Sequence, residues 1–128
     1  MEEVRDKLLY TKNHVWVRLE GAVARYGLTD YAQKELGEIV YMDMPKVGSA
    51  AVAGEEYGGI ESLKSVGPLY FPVSGKIVEI NEELEEGPFL INESPFDDGW
   101  LAAVEMSDPD EAGGLMSPKE YRKYLSTL

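Results

Sequence analysis

Beyond Pro45 the chain alternates short apolar runs with glycine and proline. The runs include Ala51–Val52, Ile77–Ile80, Leu90–Ile91 and Trp100–Val104. Many short strands at this spacing, with turn residues between them, are typical of a β-sandwich or a β-barrel. The sequence therefore predicts a mainly β fold.

Two strands and a short helix are predicted before this region. Residues 15–20 and 22–26 flank Gly21 and read as a hairpin in which Trp16 and Tyr26 belong to the core. A helix is predicted from Asp30 as its cap to Gly37, and a strand over residues 39–44 follows it. Because this helix is too short to form an independent unit, we expect it to lie across an open end of the sheets.

The two ends of the chain differ in pattern. Residues 1–9 are polar with few apolar positions, which predicts a loosely attached lead-in. Residues 117–127 predict a helix with Ser117 as N-cap, Pro118 in the first turn and Glu120 completing a capping box. Met116, which comes just before the cap, is expected to pack on Tyr121, and Tyr121 is expected to dock this helix on the sheet.

Length and composition limit the possible classes of protein. A chain of 128 residues is expected to form a single domain. It has no apolar stretch long enough to cross a bilayer, and the sequence given shows no signal or transit segment. A cytoplasmic protein is therefore expected, or a mitochondrial one if a targeting segment has been removed. The formal charge of −12 argues against binding nucleic acid, because lysine and arginine must neutralise phosphates. The chain has no cysteine, so redox sulfur would have to arrive on a cofactor.

Residues that could form an independent active site are few. His14 is the only histidine, and its place beside Trp16 at the start of a strand favours a structural or surface role. Asp97–Asp98 lie in a sequence typical of a solvated turn, and residues 82–86 form an acidic loop. We therefore expect neither a catalytic triad nor a metal site.

One lysine stands out by its position. Lys64 lies between two apolar strands, on a polar tip with Ser62 and Ser65, and Glu61 precedes it. An ordinary exposed lysine is one interpretation of this pattern. The other is an amine displayed for covalent modification, because an exposed lysine is a poor nucleophile but can be acylated by another enzyme.

The residues around Lys64 resemble those of the glycine cleavage system H protein, a family of lipoyl carriers. Four motifs in the same order carry this resemblance, which extends over about residues 8–125: Tyr10-Thr11-Lys12-x-His14-x-Trp16-Val17, Gly27-Leu28-Thr29-Asp30-Tyr31-Ala32-Gln33-x-x-Leu36-Gly37, Glu61-Ser62-Leu63-Lys64 with Leu69-Tyr70-x-Pro72-Val73-Ser74-Gly75, and Asn92-x-x-Pro95-x-x-x-Gly99-Trp100-Leu101. The last motif resembles a late hairpin of the family.

The resemblance implies a fold, a cofactor and a set of site residues. It implies a lipoyl-type barrel-sandwich hybrid with a short helix across one end and a C-terminal helix. Lipoic acid would be attached covalently to Lys64, with Glu61 read by the lipoylating enzyme and Ser65 flanking the site. Biotin acceptors place methionine beside the lysine, whereas Leu63 and Ser65 stand there in this chain, which favours lipoate.

The resemblance also implies a non-catalytic role in a multienzyme system. The arm would receive an aminomethyl group from a pyridoxal-phosphate glycine decarboxylase and deliver it to a tetrahydrofolate-dependent aminomethyltransferase. A dihydrolipoyl dehydrogenase would then reoxidise the arm. The carrier is expected to act as a monomer that binds neither nucleic acid nor membranes.

Three positions depart from the family's pattern. Val15 and Pro68 replace acidic residues that the family associates with holding the loaded arm in a surface cleft, and Gly59 replaces an apolar residue. A charged amine withdrawn from water needs an acceptor, and neither Val15 nor Pro68 has a side chain that can supply one. Two alternatives therefore stay open: a related lipoate carrier that serves sulfur oxidation with heterodisulfide-reductase-like proteins or a lipoyl relay, and an unmodified β-sandwich interaction module.

Overall fold

A computed structural model of the chain, which describes residues 2–128, consists of two antiparallel sheets with three short helices. The larger sheet has the strand order β1-β2-β3-β9-β8-β5, and the smaller has the order β4-β6-β7. The strands are β1 (Leu9–Tyr10), β2 (Val15–Glu20), β3 (Val23–Leu28), β4 (Ile39–Met42), β5 (Ala50–Ala51), β6 (Glu56–Ser62), β7 (Val66–Tyr70), β8 (Gly75–Ile80) and β9 (Ala102–Met106). The predicted mainly β fold is confirmed.

The core lies between the two sheets. Tyr26 and Val104 of the larger sheet and Ile60 and Leu69 of the smaller sheet are at most 1% exposed, and they belong to one apolar cluster. Trp16 is fully buried in a second cluster at the side of the larger sheet. The prediction that Trp16 and Tyr26 are core residues is therefore confirmed.

Helix α1 (Asp30–Leu36) begins one residue earlier than the sequence predicts. Thr29, not Asp30, is the N-cap, because its buried hydroxyl accepts the Ala32 N–H at 3.2 Å. The Asp30 carboxylate lies inside the first turn and accepts instead from the side chain of Gln33 at 2.8 Å. The predicted end at Gly37 is confirmed, with φ at 87°.

The segment around Leu90–Ile91 is a helix, whereas its apolar run was predicted as a strand. Helix α2 (Leu90–Glu93) is followed by turns over residues 95–99, so the late motif does not form a hairpin. Gly99 explains the tight return: a Cβ there would lie 2.7 Å from the Leu90 carbonyl oxygen. The short run supports either conformation, and this close approach selects the helix.

The N-terminal segment is tied to the fold, in contrast to the loose attachment expected from its polar sequence. Leu8 is buried, and Leu9 opposite Val17 belongs to the short strand β1. The Tyr10 hydroxyl accepts from the Arg5 N–H and donates to the Arg5 carbonyl, each at 2.8 Å. A few apolar anchors are therefore sufficient to fix a mostly polar segment.

Helix α3 (Pro118–Leu125) has the predicted N-terminus, with Ser117 as the cap and a complete capping box with Glu120. Its docking is aromatic: the Tyr121 ring is buried and stacks on Tyr10 with ring centroids 4.5 Å apart. Met116 and Tyr121 lie in the same apolar cluster, as expected for the predicted contact across the cap. Within residues 2–128, no helix is long and apolar enough to span a membrane.

A substitution at Gly75 tests the packing between β8 and β9. A Cβ at this position would overlap the backbone carbonyl of Glu105, which cannot move without breaking the ladder. We expect Gly75→Ala to lower the free energy of unfolding by about 3 kcal/mol, measured by urea denaturation. Gly113→Ala is the control, because a Cβ there has open space and should leave the stability within about 0.5 kcal/mol of the wild type.

Candidate functional site

Lys64 lies at the tip of the β6–β7 hairpin, in a turn closed by two serines. The Ser62 N–H donates to the Ser65 carbonyl at 2.9 Å, and the Ser65 N–H donates to the Ser62 hydroxyl at 3.0 Å. The Ser62 hydroxyl also lies 3.3 Å from the Lys64 N–H. Serine hydroxyls form such local bonds readily, so the backbone of the tip is fixed while its lysine side chain remains exposed.

The tip rests on the C-terminal end of helix α1. The Leu63 N–H donates to the Glu38 carbonyl at 3.0 Å, and the Ser65 hydroxyl lies 3.4 Å from the Leu36 carbonyl. The aliphatic part of Lys64 crosses Gly37, where an added Cβ would approach the lysine Cε to 3.0 Å. The aliphatic part of the lysine side chain is thus supported by backbone.

The surroundings of Lys64 are exposed and partly apolar. Leu63 and Val66 on either side are 73% and 74% exposed, unusually high for aliphatic side chains in a hairpin. Glu61 is also exposed, opposite Val66 in the strand register. Among the described residues, no salt bridge within 4.0 Å involves Lys64, so the amine has no structural ion pair to lose on modification.

Asn92 is a site residue whose role sequence reasoning missed. Its side-chain amide donates to the Gly37 carbonyl at 2.8 Å and to the Gln33 side chain at 2.9 Å. Its carbonyl accepts the Ile39 N–H at 2.9 Å. One side chain thereby fixes the end of α1 and the start of β4, which are distant from it in sequence, and the only signal was its place in a family motif.

The first strand of the hairpin is held by Asp43. Its carboxylate accepts the Gly59 N–H at 2.8 Å and the Tyr41 hydroxyl at 3.0 Å. A Cβ at Gly58 would lie 2.6 Å from the Asp43 Cβ, so glycine is required there. At Gly59 the nearest atom to an added Cβ would be 3.5 Å away, so a Cβ would fit and packing does not require glycine there.

A cleft of about 290 Å³ opens between helix α1 and strand β7, beside the hairpin tip. Its walls are mostly apolar and include Leu36, Ile60, Pro68 and Tyr70. Val15 is 2% exposed in the core and does not line this cleft in the described structure. The sequence therefore singled out Pro68 correctly as a surface position near the lysine, whereas Val15 is a core residue here.

His14 forms another part of the cleft wall and is held by a polar chain. Its Nδ1 lies 2.8 Å from the Tyr121 hydroxyl, which donates to the Thr29 hydroxyl at 2.9 Å. Since Tyr121 donates to Thr29, Nδ1–H donates to Tyr121, and Nε2 keeps its lone pair. Burial lowers the pKa of His14, so the neutral ring is favoured. The role is structural, as predicted, and it leaves an acceptor on the imidazole.

The other carboxylates considered from the sequence are not gathered into a site. Asp97 forms a salt bridge with Arg5 at 3.0 Å, and Asp98 is exposed in the same turn. The acidic segment 82–86 is exposed except for Leu84, which is buried. Among the residues that the structure describes, no group of three or more histidine, aspartate or glutamate side chains could hold a metal ion.

Comparison with known proteins identifies the family. The model of the family described as glycine cleavage H-protein matches residues 8–128. The chain belongs to this family.

Bacterial relatives are similar in sequence to this chain over nearly its whole length. The glycine cleavage system H proteins of Halalkalibacterium halodurans and Rubrobacter xylanophilus are 46% and 47% identical to it, each over 98% of this chain and at least 97% of their own length. Glycine cleavage system H protein 4 of Aquifex aeolicus is 46% identical over 98% of this chain and 73% of its own. A crystal structure of a glycine cleavage system H protein from Mycobacterium marinum superimposes with a TM-score of 0.87 at 32% identity, covering 96% of this chain and 99% of that chain. The barrel-sandwich fold implied by the resemblance is confirmed.

Removal of the Asn92 amide tests its role as the connection between α1 and β4. Asn92→Ala leaves the Ile39 N–H and the Gly37 carbonyl without their partner, and we expect a loss of about 1–3 kcal/mol in unfolding free energy. Urea denaturation measures it, with hydrogen exchange at Ile39 as a local readout. Glu93→Ala, an exposed neighbour in the same helix, is the control. Equal stability of the two variants would contradict this role.

The titration of His14 tests its burial. Its pKa in the folded chain should lie below the ordinary value of 6.5, because burial disfavours the imidazolium. The unfolded chain then binds more protons in this range, so the contribution of His14 to stability should fall as the pH decreases through about 6.5. NMR of the ring C–H signals measures the pKa of this single histidine, and a midpoint at or above 6.5 would contradict the prediction.

Proposed function

We propose that this chain is the lipoyl carrier of a glycine cleavage system, with lipoic acid attached to Lys64. The observation that carries the proposal is the exposed Lys64 on a serine-closed hairpin, in a chain of the glycine cleavage H-protein family. In this role the chain is a non-catalytic subunit that presents its arm to other enzymes. Its partners are a glycine decarboxylase, an aminomethyltransferase, a dihydrolipoyl dehydrogenase and a lipoylating enzyme.

The residues present fit a lipoyl amide. Acylation removes the positive charge of Lys64, and since this amine has no salt bridge among the described residues, the fold loses no ion pair. When bound, the lipoyl group supplies a disulfide that can be reduced, loaded and reoxidised, which a chain without cysteine cannot supply itself. Both the exposed amine of Lys64 and the lack of cysteine in the chain are therefore compatible with a lipoyl group at this position.

The chain's own residues act as a rigid base for the arm. Ser62 and Ser65 fix the turn, and Gly37 supports the lysine stem, so the base of the arm is held on both sides. Confining the arm at one point raises its effective concentration at a docked partner. A fixed base beneath a flexible arm is the arrangement that a shuttle between several active sites requires.

The exposed surface of the tip supports recognition by a lipoylating enzyme. Leu63 and Val66 offer an apolar contact on either side of Lys64, and Glu61 adds a charge close by. Ser65 completes the turn and holds the lysine at its apex. We assign Glu61 to recognition and Ser65 to positioning, while Lys64 itself receives the lipoyl group.

Glycine–bicarbonate exchange tests the proposed function. The protein is lipoylated in vitro, the modification is checked by intact mass, and a glycine decarboxylase is added. We expect exchange with the wild type and none with Lys64→Ala, which cannot be acylated. The free energy of unfolding of Lys64→Ala should lie within about 0.5 kcal/mol of the wild-type value, because an exposed residue at the tip contributes little to stability.

One control variant and two possible contrary outcomes make the test decisive. Lys76→Ala removes an exposed lysine of strand β8 and should keep both lipoylation and exchange. Lipoylation at Lys64 without exchange, even with a decarboxylase from the same source, would contradict the glycine role and favour another lipoate-dependent pathway. A chain that no lipoylating enzyme modifies would contradict the carrier role altogether.

A further inference from the structure

We infer that the free edge of strand β4 is a docking site for an extended, basic segment of the glycine decarboxylase. This inference rests on the proposed function, because it names the surface by which a partner of the arm binds the chain. The site lies on the side of β4 that faces away from β6, next to the hairpin that carries Lys64.

Strand β4 has backbone groups without a partner on its outer side. It is the outer strand of the smaller sheet and pairs only with β6. Backbone groups of successive residues in an extended strand point to opposite sides. The Asp43 N–H donates to the Gly59 carbonyl at 2.9 Å on the β6 side, so the N–H of Met44 points to the free side. Among the described residues, neither backbone group of Met44 forms a hydrogen bond.

Two clefts run along this free edge. One of about 300 Å³ lies between β4 and a loop, with Val40 and Met44 on one wall and Leu84 and Pro88 on the other. A second of about 490 Å³ continues from Met44 past the end of the strand to Tyr57. Because Met44 lines both clefts, we treat them as one edge groove.

The edge groove suits an extended segment of another protein. A segment that adds to an exposed edge strand gains main-chain hydrogen bonds, and its alternate side chains enter pockets beside the strand. The bulge between Ile39 and Tyr41 leaves Val40 without a register partner on β6, so the free edge also offers this residue. The methionine side chains of the wall adapt readily to the shape of a partner.

The charge of the edge groove indicates the kind of segment that it binds. Of the four charged residues that line it, Glu55, Glu56 and Glu85 are acidic and Lys46 is basic. A second copy of this chain would bring a formal charge of −12 against another −12, and the two copies would repel each other. A segment rich in lysine or arginine is attracted instead. The occupant is therefore a basic segment of a different protein.

The position of the edge groove relative to Lys64 indicates which protein this is. Val40, at the start of the groove, is two residues from Glu38, whose carbonyl accepts the Leu63 N–H of the hairpin tip. An enzyme bound at the groove lies beside the tip without covering it, which suits an enzyme that acts on the far end of the arm. A lipoylating enzyme acts on the amine itself and must bind the tip. Since the decarboxylase is the first enzyme to act on the far end, we assign the groove to it.

Met44→Pro tests the backbone contact. Proline removes the free N–H, and position 44 precedes Pro45, which already favours extended backbone there. Met44→Ala is the matched control, because both variants lose the methionine side chain and only proline loses the donor. Both are lipoylated and compared by glycine–bicarbonate exchange with the concentration of carrier varied. We expect the KM for the carrier to be about three- to tenfold higher for Met44→Pro, the range for one hydrogen bond, with kcat unchanged.

Glu85→Lys tests the charge and does not depend on the folding of Met44→Pro. Glu83→Lys is its control, because it makes the same charge change at a residue of the 3-10 helix Glu82–Leu84 that does not line the groove. Side chains two residues apart in such a helix lie on different sides. We expect the KM for the carrier to rise about three- to tenfold in Glu85→Lys and less than twofold in Glu83→Lys. The rate of lipoylation at Lys64, followed by intact mass, should be equal in the two variants.

The outcomes separate this inference from the proposed function. If the lipoylated wild type supports exchange, equal KM values within either pair of folded variants would overturn the docking site and leave the carrier role intact. A wild-type dimer that Met44→Pro makes monomeric, measured by analytical ultracentrifugation, would also overturn it and assign the edge to a second copy. No exchange with the lipoylated wild type would overturn the proposed function and this inference with it.

Discussion

The hydrogen bonds of the Asn92 side chain are the interaction on which the site depends. They join the end of α1 to the start of β4, and α1 in turn supports the hairpin tip through the Leu36 and Glu38 carbonyls. Strand β4 pairs with β6 as far as Ser62, so fixing the start of β4 also supports the hairpin next to its tip. The position of Lys64 is therefore set by a chain of backbone contacts that ends at one amide far away in sequence.

The same arrangement separates rigidity from reactivity. The serines that close the turn satisfy backbone groups, and Gly37 lets the lysine stem lie on the helix end. Nothing in the described fold requires the Lys64 amine, which forms no salt bridge there. Because its amine has no structural role in the described fold, Lys64 can be acylated, and the attached arm can be loaded and unloaded, without a change in the scaffold.

Local patterns predicted local structure well and non-local structure poorly. The α3 capping box, the β2–β3 hairpin and the burial of Trp16 follow from short-range chemistry and were predictable. The cap of α1 at Thr29 was not predictable, because Thr29 and Asp30 are adjacent and both are suitable N-cap residues. The buried contact with Tyr121 favours the threonine. The helix at Leu90–Glu93 was mispredicted because its conformation depends on the approach of Gly99. Lys64 could be singled out from the sequence. The cleft beside the hairpin tip could not, because its walls come from three segments that are distant in sequence.

Val15 and Pro68 both suit the packing of this chain. Val15 is 2% exposed opposite Leu28, where an unpaired carboxylate would be desolvated at a cost of several kcal/mol. Pro68 lies in the edge strand β7, where a missing N–H breaks no ladder bond to a further strand. At both positions the sheets therefore keep side chains that need no polar partner.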